Sequence, residues 1–203
     1  MSRHLIPFLL AAVLLCGAPL TAMAQGSGIP KNHLFEVGEL KPLDSTLKVK
    51  IGDPAPDFSL RTIDGGTISL AQFRGKKNVA LSFVPAAWTP VCSGQWPGYN
   101  IVQDLFDQTD TQLVGVSVDN VPTLHAWVQE MGGVWFPVAS DFFPHGRLAD
   151  ALGILRSTGE AERSLFLIDK QGIIRYIDVH DINSRPDLGP LVKAMQELKK
   201  AQN

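Results

Sequence analysis

Two apolar runs, Val79–Val84 (VALSFV) and Leu113–Val118 (LVGVSV), bracket a stretch of helical spacing. Strands joined through a helix lie parallel, because a tight turn cannot carry the chain back to the same end of the sheet. That βαβ unit commits the chain to a sheet with a parallel centre and helices packed on it. The crossover helix is expected from Cys92 to Gln108, where Trp96, Tyr99, Val102, Leu105 and Phe106 recur at helical intervals. Further strand-like runs occur at Phe58–Leu60, Thr67–Leu70, Ser164–Ile168 and Ile173–Val179. Asp64-Gly65-Gly66 and Lys170-Gln171-Gly172 read as the turns of two hairpins, which add antiparallel strands. Helices are predicted over Pro122–Met131, stopped by Gly132-Gly133, and over Leu148–Leu155. A last helix, capped by Asp187, places Leu188, Leu191, Val192, Met195 and Leu198 on one face. The expected fold class is α/β, a mixed central sheet with helices on both faces.

The chain has 203 residues, of which 45% are hydrophobic, enough for one well-packed domain. Its net charge of −2 and the lack of any Lys/Arg cluster argue against a nucleic-acid partner. Residues 1–24 read as a cleaved signal peptide: Arg3 and His4, an apolar core, then Ala22-Met23-Ala24 before the cut. An uncleaved anchor fits less well, since Pro7, Gly17 and Pro19 interrupt the apolar run. After cleavage no stable membrane insertion is expected. Lipidation of Cys16 is disfavoured by the bulky Leu15 before it. The export signal points to a periplasmic or secreted protein. Residues 25–50 form an extension without clear periodicity, and the domain proper is expected over 51–203.

Of the two cysteines, only Cys92 then remains in the mature chain. A lone thiol in an oxidising compartment is either buried and inert or useful, and the count does not choose. Its setting narrows the choice. Thr89 is a good N-cap and Pro90 suits the first helical position, so Cys92 falls in the first turn of the crossover helix. Free backbone N–H groups and the helix dipole favour an anion there, and a thiolate is one. The helix begins at the carboxyl end of a sheet strand, where open α/β sheets bind ligands. His33, His125, His145 and His180 show no metal-ligand spacing, and no cofactor or metal is expected.

The stretch "PAAWTPVC" resembles the peroxiredoxin active-site pattern, Pro-x-x-x-Thr-x-x-Cys, with Pro85, Thr89 and Cys92 in register. "ERSLFLID" supplies Arg163 in the family's Arg-x-x-Phe-x-x-Asp setting. "PAPDFSL", "SVD" and "SDFFPHG" also fit, so the resemblance runs from about Ile51 to Leu198 and looks closest to the one-cysteine, alkyl hydroperoxide reductase E-like branch. It implies a thioredoxin-like fold, a hydroperoxide substrate, and Cys92, Thr89, Arg163 and Pro85 as the catalytic set. It favours a homodimer. Where many relatives carry Glu three residues after the cysteine, this chain has Gln95, which keeps the hydrogen-bonding shape and loses the charge.

The chemistry asks more of the site than an acidic thiol. Lowering a thiol's pKa raises its thiolate fraction but lowers its nucleophilicity, so the net gain near neutral pH is only about a few-fold. The remaining rate must come from holding the peroxide and stabilising the transition state. The resemblance gives that work to the Thr89 hydroxyl, the Arg163 guanidinium and backbone N–H groups near Val91 and Cys92, with Pro85 fixing the loop and limiting solvent. With no second mature cysteine, regeneration of the sulfenic acid needs an external thiol or a thioredoxin-like reductant. Two other readings compete. A dithiol oxidoreductase would need Cys at position 95, which is Gln. A non-catalytic redox sensor or binding module stays open. Trp88, beside Thr89, is expected on the pocket wall or at a dimer contact, and Trp96, Trp127 and Trp135 in the core.

Overall fold

The computed structural model describes residues 28–202; the expected signal peptide lies outside the described residues. A seven-stranded sheet runs β2-β1-β5-β4-β3-β6-β7. Its strands are β1 (Ser59–Thr62), β2 (Thr67–Ser69), β3 (Asn78–Phe83), β4 (Thr111–Ser117), β5 (Val138–Ser140), β6 (Ser164–Ile168) and β7 (Ile174–Val179). β3 pairs with β4 in parallel, as the βαβ pattern requires, and both expected hairpins are antiparallel. β5 escapes sequence reading, because three residues after Pro137 are too short for a period to show.

The helices are α1 (Pro90–Gly98), α2 (Gln103–Gln108), α3 (Val121–Glu130), α4 (Arg147–Leu152) and α5 (Gly189–Gln202). The single helix expected from Cys92 to Gln108 is broken into α1, a 3-10 turn at Tyr99–Val102, and α2. Pro97 lies inside α1 and cannot donate to the preceding turn, and Gly98 follows it, so the helix tightens and re-aims there. α5 starts just past Asp187, whose Oδ1 accepts from Gly189 N at 2.9 Å. His145 stands just before α4, whose N-cap is Gly146.

The sheet is covered on both faces. Leu81, Phe83, Val114, Val116 and Phe166 pack with Leu148, Ala149 and Leu152 of α4. Ala80, Leu113, Leu165 and Leu167 pack on the other face with side chains of α1, α3 and α5. There Trp96 and Trp127 are fully buried with ring centroids 5.0 Å apart, while Trp135 is half-buried. Trp96 fits because Gly115 faces it: a Cβ there would lie 2.8 Å from the indole.

Residues 28–50 contain little regular structure, yet they are tied to the body. Lys48 N donates to Leu152 O at 3.0 Å, and Asp44 N donates to Glu162 at 2.6 Å. Arg156, in a buried ion pair with Glu162, donates to Lys41 O at 2.8 Å. Hydrogen bonds from Lys41 and Ser157 hold the Asp44 carboxyl well below the usual carboxylate range. The end of α4 is the tightest joint. Gly153 has φ +78°, and a Cβ there would lie 2.3 Å from Lys48 N and 2.4 Å from Thr46 O. Gly153→Ala is therefore expected to destabilise the protein by about 3 kcal/mol, through both left-handed strain and backbone overlap. Chemical denaturation checks this, and limited proteolysis should show earlier cuts before Ile51.

Candidate active site

Sheet register brings together residues far apart in sequence. β6 runs antiparallel to β3, with Ser164 opposite Phe83. The start of β6 therefore meets the end of β3, and Arg163 arrives beside the loop that leads into α1. Cys92 is the third residue of α1. It is 1% exposed and lies 3.4 Å from Arg163 Nη2 through its Sγ. Its backbone N–H and that of Val91 donate to no described residue, since Pro90 opens the helix and the first helical bond is Ser93 N to Thr89 O. Those free donors beside the sulfur match the expectation for an anion-holding first turn.

Arg163 is itself 2% exposed, and its fork is almost fully used. Nε and Nη2 donate to Ile182 O at 3.2 and 3.0 Å, and Nη1 donates to Gln95 Oε1 at 2.5 Å. Among the described residues no carboxylate forms an ion pair with it. A buried cation without a carboxylate partner is costly unless an anion joins it, and the cysteine sulfur is the group in contact that can become one. Gln95, where a carboxylate would have neutralised the guanidinium, orients it without removing its charge. Gln95 is held in turn: its amide donates to Tyr99 Oη at 2.9 Å and Ser82 Oγ at 3.2 Å. Burial pushes the Tyr99 phenol up, so it stays protonated, while hydrogen bonds to Ser82 and Gln95 and the Arg163 charge act the other way.

Thr89 departs from the sequence expectation. It occupies the N-cap position with extended backbone, but its side chain makes no cap hydrogen bond. Its hydroxyl donates instead to Ala86 O at 3.0 Å. With Pro90 removing one helix-start N–H, the hydroxyl is not held by the helix, and its lone pairs stay available at the cleft. Of the two places expected for Trp88, it does not take the cleft wall: it packs, half-buried, against the apolar cluster that contains Trp96. Its φ of +62° turns the chain sharply between Ala87 and Thr89.

The sulfur opens onto a cleft of about 710 Å³. Pro85, Ala86, Thr89, Val91, Cys92 and Arg163 line it, so all four sequence-assigned site residues meet there. Phe35 to Leu40, from the extension to which the sequence assigns no role, line the same cleft. The Gln95 network was partly legible: Gln95 and Tyr99 are spaced for one helix face with Cys92 a turn before. Ser82 and the Ile182 carbonyl carried no signal, since one is a small residue in an apolar strand and the other a backbone atom.

A model of the AhpC/TSA family matches residues 51–177. The chain belongs to the AhpC/TSA family. The alkyl hydroperoxide reductase E of Mycobacterium tuberculosis is 36% identical to this peroxiredoxin over 132 residues, covering 64% of this chain and 86% of that protein. The chloroplastic 2-cysteine peroxiredoxin of Chattonella marina var. antiqua is 28% identical over 165 residues, covering 77% and 84%. Among solved structures, the reduced 2-Cys peroxiredoxin of Plasmodium vivax superposes with a TM-score of 0.70 at 25% identity, over 76% of this chain and 84% of that one. The fold is thioredoxin-like, and the chain is a thiol-dependent peroxidase of the peroxiredoxin family.

Proposed function

We propose that this peroxiredoxin works through Cys92 alone, as an exported one-cysteine peroxidase of hydrogen peroxide and organic hydroperoxides. The observation that carries the reading is the 3.4 Å contact between Cys92 Sγ and a buried Arg163 that has no carboxylate partner among the described residues. The thiolate attacks one peroxide oxygen. A new S–O bond forms, the O–O bond breaks, and the sulfur loses two electrons to the departing oxygen, which takes a proton and leaves as water or alcohol. Arg163 and the free N–H groups of Val91 and Cys92 hold the negative charge as it moves from sulfur to the leaving oxygen. Thr89 fixes the peroxide through its hydroxyl, and Pro85 closes the loop side of the cleft without adding a competing donor.

Cys92 is the only cysteine among the described residues, and the other, Cys16, lies in the expected signal peptide. The sulfenic acid is therefore returned to thiol by two external thiol equivalents, giving one disulfide and one water, with a small thiol or a thioredoxin-like protein as donor. Export to the periplasm or the outside and a homodimer complete the reading. The first rests on the pattern of residues 1–24, the second on the family.

The test is turnover. Mature protein, hydrogen peroxide and excess external thiol should consume peroxide through many cycles, and dimedone should trap Cys92 when thiol is withheld. A single equivalent consumed, with no recycling by monothiols, dithiols or thioredoxin, would instead favour a sensor.

A further inference from the structure

The segment Phe35–Leu40 lies outside the part of the chain that matches the family, yet it forms one wall of the Cys92 cleft. Both of its ends are fastened. Phe35 N donates to Trp88 O at 2.7 Å, in the loop that carries Thr89. At the other end the Asn183 amide donates to Leu40 O at 2.8 Å and accepts from Leu40 N at 2.9 Å. Between these anchors Glu36, Val37, Gly38 and Glu39 are exposed and hydrogen-bond to no described residue. The segment is a strap, fixed at two points beside the site.

Its chemistry is specific. Phe35, 71% exposed, and Val37, 40% exposed, line the cleft together with Pro85, Ala86 and Val91. A chain that anchors two large apolar side chains beside a reactive sulfur, and leaves them facing water, presents surface for an apolar ligand. Hydrogen peroxide does not need it: at roughly 30 Å³ per water-sized molecule, the cleft has room for far more than one peroxide. The charged lining residues are Glu36, Glu39, Glu160 and Arg163. Arg163 is buried and committed to the reacting end, so a ligand tail meets carboxylates only. An anionic tail would be repelled, and a neutral one would not.

We propose that the strap makes this cleft a subsite for the uncharged, apolar body of an organic hydroperoxide, with Phe35 and Val37 as the residues that set preference for it over hydrogen peroxide. The proposal rests on the peroxidase reading of Cys92. It places substrate selection in a segment outside the catalytic domain's own motifs.

The experiment compares rate constants for Cys92 oxidation by cumene hydroperoxide and by hydrogen peroxide, in wild type, the Phe35→Ser/Val37→Ser double variant and Phe35→Leu. The cumene-to-hydrogen-peroxide ratio should fall about tenfold in the double variant, the scale of losing a few methylene-sized apolar contacts, and stay within about threefold in Phe35→Leu. A fatty-acid hydroperoxide should react more slowly than its methyl ester, both kept below aggregation, and Glu36→Gln/Glu39→Gln should narrow that gap. An unchanged ratio, an equal loss with both peroxides, or an acid as fast as its ester would overturn the proposal while hydrogen peroxide still oxidises Cys92. Failure of both peroxides to oxidise wild-type Cys92 would overturn the peroxidase reading as well, so the two failures are distinct.

Discussion

Replacing Arg163 with methionine is expected to slow oxidation of Cys92 by hydrogen peroxide by about a hundredfold to a thousandfold, the range for removing one preorganised donor from a site of charge transfer. Among the described residues the guanidinium is the only permanent charge in contact with the sulfur, and it is nearly sealed from water at 2% exposure. In that setting its interaction with a developing oxyanion is weakly screened. Methionine fills much of the volume but strands Gln95 Oε1 and Ile182 O, each of which accepts from Arg163. Each orphaned buried acceptor costs about 1–3 kcal/mol, so the variant should also unfold earlier. Arg163→Lys separates the two effects: it keeps the charge but cannot make the forked bonds to both acceptors, and an intermediate rate is expected. Stopped-flow rate constants, measured beside thermal unfolding, check this. A methionine variant that reacts as fast as wild type would remove Arg163 from the catalytic set.

Thr89→Val should slow the same step by about a hundredfold while barely changing shape, with Thr89→Ser within about tenfold of wild type. The hydroxyl proton is directed at Ala86 O, which leaves the oxygen's lone pairs to receive the peroxide's own O–H. Valine keeps the β-branched packing of a residue only 7% exposed and removes that acceptor. Its stability cost should be about 1 kcal/mol, from one lost hydrogen bond to a carbonyl. The combination of a large rate loss with a small stability loss identifies a substrate-facing role, and a loss of stability without loss of rate would identify a packing role.

Where the sequence was legible, the reason is periodicity and local stereochemistry. VALSFV and LVGVSV are long enough to declare buried parallel strands, and Pro90 after Thr89 declares a helix start with Cys92 in its first turn. Three features were not legible. β5 is too short to show a period. The break after Pro97 was hidden because apolar spacing continues across it, so pattern outweighed the proline. The Thr89 side chain fits both a cap and a ligand-facing hydroxyl, and only the bond to Ala86 O decides between them. The site was legible through a motif for Cys92, Thr89 and Pro85, and through a weaker one for Arg163. What held Arg163 in place was not, because register sets it: Ser164 pairs with Phe83, and Ile182 and Gln95 come from elements 19 and 68 residues away. The extension was the largest omission. Its contacts are almost all backbone hydrogen bonds and long-range side-chain anchors such as Asn183, which leave no mark on hydrophobic periodicity.

The most direct test is stopped-flow tryptophan fluorescence of the reduced protein mixed with hydrogen peroxide, beside Cys92→Ser. Trp96 lies one helical turn from Cys92 in the same buried cluster and is placed to report oxidation of the sulfur. The expected result is a fast change whose rate rises linearly with peroxide, far above that of a free thiol, and which the Cys92→Ser variant lacks. A rate no greater than that of a free thiol would contradict it, and would mean that the contact between Arg163 and Cys92 does not activate the sulfur toward peroxide.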